Sequence, residues 1–310
     1  MKAIQISNKS PQLVDLPEPS GDGVKIKVNS ASICGSDLHL MSRGWAENRV
    51  LGHEFAGTTP DGTTVAVEPI ISCGICPACE DGYRSHCSDN PNIIGVSLDG
   101  GMAEYVIAPA ESLVVLPSGL DICHASMIEP LAVALHGLNR AKIQAKNKTL
   151  VIGAGAIGLM TAAALNARGI SFDLSARHAH QQNAASQLGA GDTISDAYDI
   201  VFDAVGNSDS LAQAARLAKP MGKIVMLGSF WAPVALGMEF TMKELEIVAA
   251  MTYQCKHAGR EFVEAGNILA KNSGIAKTLI SHRFPLDGAA EGFATAADRS
   301  AGAIKVVFDI

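Results

Sequence analysis

The sequence predicts an α/β protein made of a β-rich part followed by a doubly wound, parallel-sheet part. Three observations carry that expectation. The first 130 or so residues hold short β-like runs, Val24–Val28, Thr63–Val67 and Tyr105–Ala108, separated by Gly, Pro, Asn and Asp. From about residue 145 strand-like and helix-like runs alternate, which favours a parallel sheet covered by helices on both faces. Lys148–Ile152 reads as a buried strand, a glycine turn follows, and Ala156–Ala167 reads as a helix.

Further strands are expected at Ile170–Ser175, Ile200–Ala204 and Lys223–Leu227, with a helix at Ser210–Ala218. The closing run Ala303–Phe308 is strand-like and is expected to rejoin the first part. The predicted domains are therefore residues 1–133 with 252–310, and residues 134–251.

The chain has 310 residues, enough for two domains, and its 48% apolar and 18% charged residues are those of a folded protein. A net charge of −7 argues against nucleic acid or an anionic membrane as the main partner. No apolar run is long enough to span a bilayer, and the first residues lack the apolar core of a signal peptide, so a cytoplasmic protein is expected.

Seven cysteines fit a reducing compartment if most of them bind metal. Cys73, Cys76, Cys79 and Cys87 offer four thiolates from one short segment, a set that zinc binds tetrahedrally with no open position. Disulfides and an iron–sulfur cluster are the alternatives. Cys123 and Cys255 are expected to be buried structural residues. Upstream lie Cys34-Gly-Ser-Asp-x-His39 and Gly52-His53-Glu54, and downstream Glu129-Pro130. A thiolate, an imidazole and a carboxylate would hold zinc and leave a position open for substrate.

Gly153-Ala154-Gly155-Ala156-Ile157-Gly158 sits between the predicted strand and helix. There the glycines permit a tight turn and bring a pyrophosphate against the helix N-terminus. Taken in this order, these motifs resemble the zinc-containing medium-chain dehydrogenases. Val67-Glu68-Pro69 and Glu129-Pro130 are similar to the sorbitol, threonine and butanediol dehydrogenase branch.

The resemblance implies a GroES-like catalytic domain, a Rossmann cofactor domain, two zinc ions and a hydride exchanged between a secondary alcohol or polyol and a nicotinamide. It makes Cys34 and His53 catalytic-zinc ligands, with either Glu54 or Glu129 as the third. It assigns Ser36 to take the hydroxyl proton and His39 to pass it on, and places Trp45 in the substrate pocket; a buried core tryptophan is the alternative there. Ala204-Val205-Gly206 and Leu227-Gly228-Ser229 would border the nicotinamide. Lys305 would contact the pyrophosphate, unless it is a solvated surface lysine. A homodimer or homotetramer is implied by the same analogy.

An acidic residue at the end of the second strand would bind the ribose of NAD. Ala176 stands at the expected position, followed by Arg177 and His178, which favours the 2′-phosphate of NADP. In the competing alignment Asp173 is the ribose ligand and NAD the cofactor. One departure from the family pattern is visible. Only Gly191–Tyr198 separate Ala190 from the next strand, so a third strand at Asp192–Ile194 is expected to be short or missing. Two rivals to a dehydrogenase are an NADPH-dependent aldehyde or ketone reductase and a non-catalytic zinc- and nucleotide-binding redox sensor.

Overall fold

A computed structural model describes residues 1–191, 193–254 and 260–310. The chain divides into two compact units, Met1–Glu129 with Gln254–Ile310, and Pro130–Tyr253.

The first unit is built on a seven-stranded sheet. Its strands run in the order Ile280–Pro285, Lys305–Asp309, Val24–Ser32, Glu54–Thr58, Thr64–Val67 and Leu113–Val115, with Tyr105–Ala108 also paired to Val24–Lys27. Alternation explains the long central strand: Ile26 and Val28 are fully buried while Lys25 and Lys27 face solvent. Lys305–Asp309 pairs antiparallel with this strand, Val307 opposite Ser32, which carries the end of the chain into the middle of the sheet. A hairpin of Lys2–Ser7 and Ser10–Asp15 turns through Asn8 and Lys9, both left-handed, which matches the twist of a two-residue turn. Ile4, Ile6, Phe55, Val67, Phe293 and Phe308 close one core beneath the sheet.

The second unit is an all-parallel sheet of five strands among the described residues, in the order Phe172–Ser175, Thr149–Ile152, Tyr198–Asp203, Ala218–Met226 and Glu246–Ala249. All four residues of Thr149–Ile152 are buried, as a central strand covered on both faces requires. Helices Ala156–Ala167, Ala179–Gln187 and Ser208–Leu217 alternate with the strands. No described helix is long and apolar enough to cross a membrane.

The expected third strand is reduced to a single bridge between Asp173 and Gly191, with the Gly191 N–H donating to the Phe172 carbonyl at 2.9 Å. Asp192 lies outside the described residues, and 193–197 form no strand. Tyr198 closes this edge instead. Its hydroxyl donates to Asp173 Oδ2 at 2.6 Å and accepts from the Ser195 N–H at 2.9 Å. Removing that hydroxyl in Tyr198→Phe leaves both partners short of a bond, so we expect a loss of about 1–2 kcal/mol, read as a lower denaturant midpoint. An unchanged midpoint would show that this corner does not depend on the tyrosine.

Candidate functional site

Four cysteines are gathered by a turn and a short helix. Cys76 precedes the helix Pro77–Glu80, Cys79 lies within it, and Cys87 follows the 3₁₀ turn Arg84–His86. The Sγ atoms of Cys73 and Cys87 are 3.4 Å apart, and those of Cys73–Cys79 and Cys76–Cys87 are each 3.9 Å apart. Disulfide sulfurs would stand about 2.05 Å apart, so these are four separate thiols converging on one point. Backbone N–H groups already point at the sulfurs: those of Cys73 and Asp89 reach Cys87 at 3.4 Å. N–H groups of Ser88 and then Cys79 hold the Cys76 thiol down to about 5, a thiolate at neutral pH. All four donors lie within 4.8 Å of one another and all are sulfur, which fits a closed tetrahedral zinc.

The second cluster forms where two neighbouring strands end together. Ser32, the last residue of the central strand, is opposite Glu54, the first residue of the next. The chain leaving Ser32 reaches Cys34, which starts the helix Gly35–Ser42, while His53 immediately precedes Glu54. The sulfur of Cys34, a ring nitrogen of His53 and a carboxylate oxygen of Glu54 lie within 4.8 Å of one another.

Asp37 completes the arrangement, and the sequence reasoning missed it. It is fully buried, accepts the Cys34 N–H at 2.9 Å through Oδ2, and faces His53 Nδ1 with Oδ1 at 3.4 Å. Both Asp37 Oδ1 and His53 Nδ1 are buried without a hydrogen-bond partner. That orphaned pair fits an imidazole that ligates a metal through Nε2 and turns its other nitrogen to a carboxylate. Burial opposes charge on His53, but Asp37 and the Cys34 sulfur outweigh it and hold the ring well above its ordinary value. A cation would replace the proton so favoured. The available signal was the spacing Cys34-x-x-Asp37, a capping-box pattern in which the third helical residue reaches back to the N-cap.

Glu54 is fully buried, and its charge is met by Lys305, whose Nζ lies 2.7 and 2.5 Å from the two carboxylate oxygens. Ser32 Oγ donates to the same carboxylate, and Lys305 also donates to the Ile33 carbonyl at 3.1 Å. Lys305 is 2% exposed. The surface alternative for this residue is thereby corrected: it is not a solvated lysine, and its ammonium is paired with Glu54 within its own unit. Glu129, in the first turn of the helix Ile128–Ala141, is buried but does not join the 4.8 Å group. Burial, reinforced by the charge of Glu54, pushes its carboxyl up to about 7.

Ser36 and His39 lie three apart on one face of the helix that starts at Cys34, Ser36 half-buried and His39 exposed. Trp45 is 63% exposed with the Arg43 guanidinium 5.1 Å from its ring, which corrects the core alternative. Cys123 is only partly buried, so it is not an enclosed structural cysteine; Cys255 lies outside the described residues.

In the parallel-sheet unit the predicted cofactor segments come together at the carboxyl ends of adjoining strands, where such sheets bind ligands. Gly153 takes φ +94° as the first strand ends, and a Cβ on Gly158 would lie 1.8 Å from the Gly153 carbonyl oxygen, so the helix Ala156–Ala167 starts against the turn only with glycine there. No atom lies within 4 Å of where a Cβ on Gly155 would project, and Ala154 and Ile157 flank it. Gly206 packs on Gly228, where a Cβ would meet backbone at 2.7 Å, bringing Ala204–Gly206 and Leu227–Ser229 together.

Asp203, fully buried, organises both segments, and the sequence reasoning missed it too. Its Oδ1 accepts the N–H groups of Val205 and Gly206, its Oδ2 accepts Ser210 Oγ, and its backbone carbonyl accepts Leu227 and Gly228. At the end of the neighbouring strand come Ala176, then Arg177 and His178, both exposed. Asp173 lies inside that strand with its carboxylate engaged by Tyr198.

Comparison with known proteins agrees with this architecture. Residues 20–118 match the alcohol dehydrogenase GroES-like domain, and residues 174–303 match the zinc-binding dehydrogenase domain. L-Galactonate-5-dehydrogenase of Escherichia coli K12 is 30% identical over 90% of the chain and 89% of its own length. Among solved structures, a Sinorhizobium meliloti zinc-binding dehydrogenase bound to NADP superposes with a TM-score of 0.86 at 29% identity, covering 100% of this chain and 99% of that one. An Escherichia coli CFT073 alcohol dehydrogenase complexed with NADH superposes at 0.88 and 27% identity over the same shares.

Replacing the ammonium in Lys305→Met strands the Glu54 carboxylate in the core. We expect a loss of about 3–5 kcal/mol in metal-stripped protein, read by thermal denaturation. A variant as stable as the parent would mean that Glu54 finds other compensation.

Proposed function

Because this chain belongs to the zinc-containing medium-chain dehydrogenase/reductase family and is an oxidoreductase, we propose that it transfers a hydride between a secondary alcohol or polyol, or the matching ketone, and NADP(H). The observation that carries this is the grouping of half-buried Cys34 with buried His53 and Glu54, with Asp37 behind the imidazole and Lys305 behind the carboxylate. Those three residues would hold a catalytic zinc and the four-cysteine lobe a structural one. Glu54 is the carboxylate favoured by proximity, with Glu129 buried as a further carboxyl. Zinc bound there supplies Lewis acidity, which lowers the pKa of an alcohol hydroxyl and polarises a ketone.

The protein's own residues handle the proton and the orientation. Ser36 Oγ accepts the hydroxyl proton, and the exposed His39 delivers it to solvent. Asp37 orients His53, and Lys305 holds the Glu54 carboxylate in place. Trp45 borders the substrate. On the cofactor side Gly153–Gly158 receive the pyrophosphate, and Asp203 holds Ala204–Gly206 and Leu227–Ser229 in place for the nicotinamide end. Two observations support NADP over NAD: Arg177 is exposed directly after the second strand, and Asp173 is already bonded to Tyr198. Reduction of an aldehyde or ketone by NADPH would use the same groups in reverse.

The rest of the proposal concerns setting and assembly. It is a cytoplasmic enzyme of small molecules. The edge strand Glu246–Ala249 leaves Ile247 40% exposed, near an edge that also exposes Met251, which supports self-association into a homodimer or homotetramer.

The test begins with metal analysis and with NADPH and NADH titrations of the purified protein, followed by assays on secondary alcohols and polyols. We expect Cys34→Ser to abolish turnover while the cysteine lobe keeps its metal, and Ser36→Ala to lower kcat about a hundredfold or more. Activity surviving Cys34→Ser would sink the proposed chemistry. Separately, Arg177→Gln should weaken NADPH about tenfold or more and leave NADH unchanged, the loss of a charged hydrogen bond being worth about 1.5–3 kcal/mol. Equal effects on the two cofactors would place the phosphate elsewhere.

A further inference from the structure

Three groups of His, Cys, Asp or Glu side chains among the described residues bring metal-ligating atoms within 4.8 Å of one another. Two are the clusters described above. The third is Asp121, Cys123 and His124, far in sequence from either and unused by the chemistry proposed for them. We propose that Asp121, Cys123 and His124 form a third metal site, taking a zinc-like divalent cation at the surface with three protein ligands and water in the remaining position.

The local fold explains why these three meet. Asp121 caps the 3₁₀ segment Ile122–Met127, its Oδ1 accepting the Cys123 N–H at 3.1 Å. That cap sets the side chains of the next turn on the same side as the carboxylate. The Cys123 sulfur, an Asp121 carboxylate oxygen and a ring nitrogen of His124 lie within 4.8 Å of one another. A thiolate, a carboxylate and an imidazole form a donor set suited to zinc-class ions.

The neighbours keep this turn in place. The Ile122 carbonyl accepts Ser30 Oγ at 2.8 Å, and the Cys123 carbonyl accepts Arg283 at 3.2 Å. Arg283 and Lys277 are cations near His124, and one Arg283 nitrogen is bonded to Asp309 at 2.5 Å, which offsets its charge. Asp121 is exposed and Cys123 and His124 are half-buried, so the group lies within reach of solvent.

The test compares zinc uptake by the whole native chain with that of Cys123→Ser and His124→Gln, bound metal being counted after equilibrium dialysis. The native chain should hold one equivalent more than either variant, whatever number the other clusters hold. Failure of the proposed catalytic site would change the totals but not that difference. Zinc should also slow alkylation of Cys123, followed by peptide mapping, by about tenfold in the native chain and not in His124→Gln. Asp121→Asn gives a third variant should one of the others fold poorly. Equal stoichiometry in native and variant chains, or Cys123 alkylation indifferent to zinc, overturns the site.

Discussion

A carboxylate buried without any contact with water has to be paired, and Glu54 is such a group. An ionised carboxyl in an apolar interior carries a penalty of several kcal/mol unless a counter-charge and hydrogen bonds surround it. Here the counter-charge is Lys305, 251 residues away in sequence, with Ser32 as the hydrogen-bond donor. Insertion of the last strand beside Val24–Ser32 brings Lys305, at its start, to the first residue of the strand Glu54–Thr58. The same strand ends set Cys34 and His53 beside Glu54. The strand pairing of the β-rich unit and this grouping of side chains are thus linked through one buried ion pair.

Charge is handled differently in the two clusters. In the four-cysteine lobe, backbone N–H groups stabilise the sulfurs, a device that works near the surface and needs no other side chain. Around Cys34 the low-dielectric surroundings make every pair count, so His53 is drawn toward its charged form by Asp37 while Glu129 is pushed toward its neutral one. A closed sulfur cage suits an ion that only holds a fold. A buried set of mixed ligands, its charges tuned by neighbours, suits an ion that must meet a substrate.

In the parallel-sheet unit the corresponding constraint is steric. Helix and turn approach so closely at Gly158 and Gly153, and the two following loops at Gly206 and Gly228, that no side chain fits between them. Asp203 then ties the loops together with one carboxylate and one carbonyl. Losing the third strand does not disturb this end of the sheet, because the shortened connection is closed at the opposite end by Tyr198 and Asp173.

Local chemistry was legible in the sequence wherever ligands or glycines are close neighbours along the chain. Cys73 to Cys87, Cys34 with its helix, His53-Glu54 and Gly153 to Gly158 all carry their spacing with them, and the strand–helix alternation announced the parallel sheet. Partners set far apart in the chain could not be read that way. Lys305 could be taken for a surface lysine because nothing near it in sequence shows that it is buried against Glu54. Asp37 and Asp203 are not marked by the sequence, because their importance lies in which backbone and ring atoms they face. Asp121, Cys123 and His124 are adjacent in sequence, yet only the cap at Asp121 turns them toward one point. Sequence periodicity and spacing record what a residue does within its own turn or strand; burial and pairing between distant segments exist only once the chain has closed on itself.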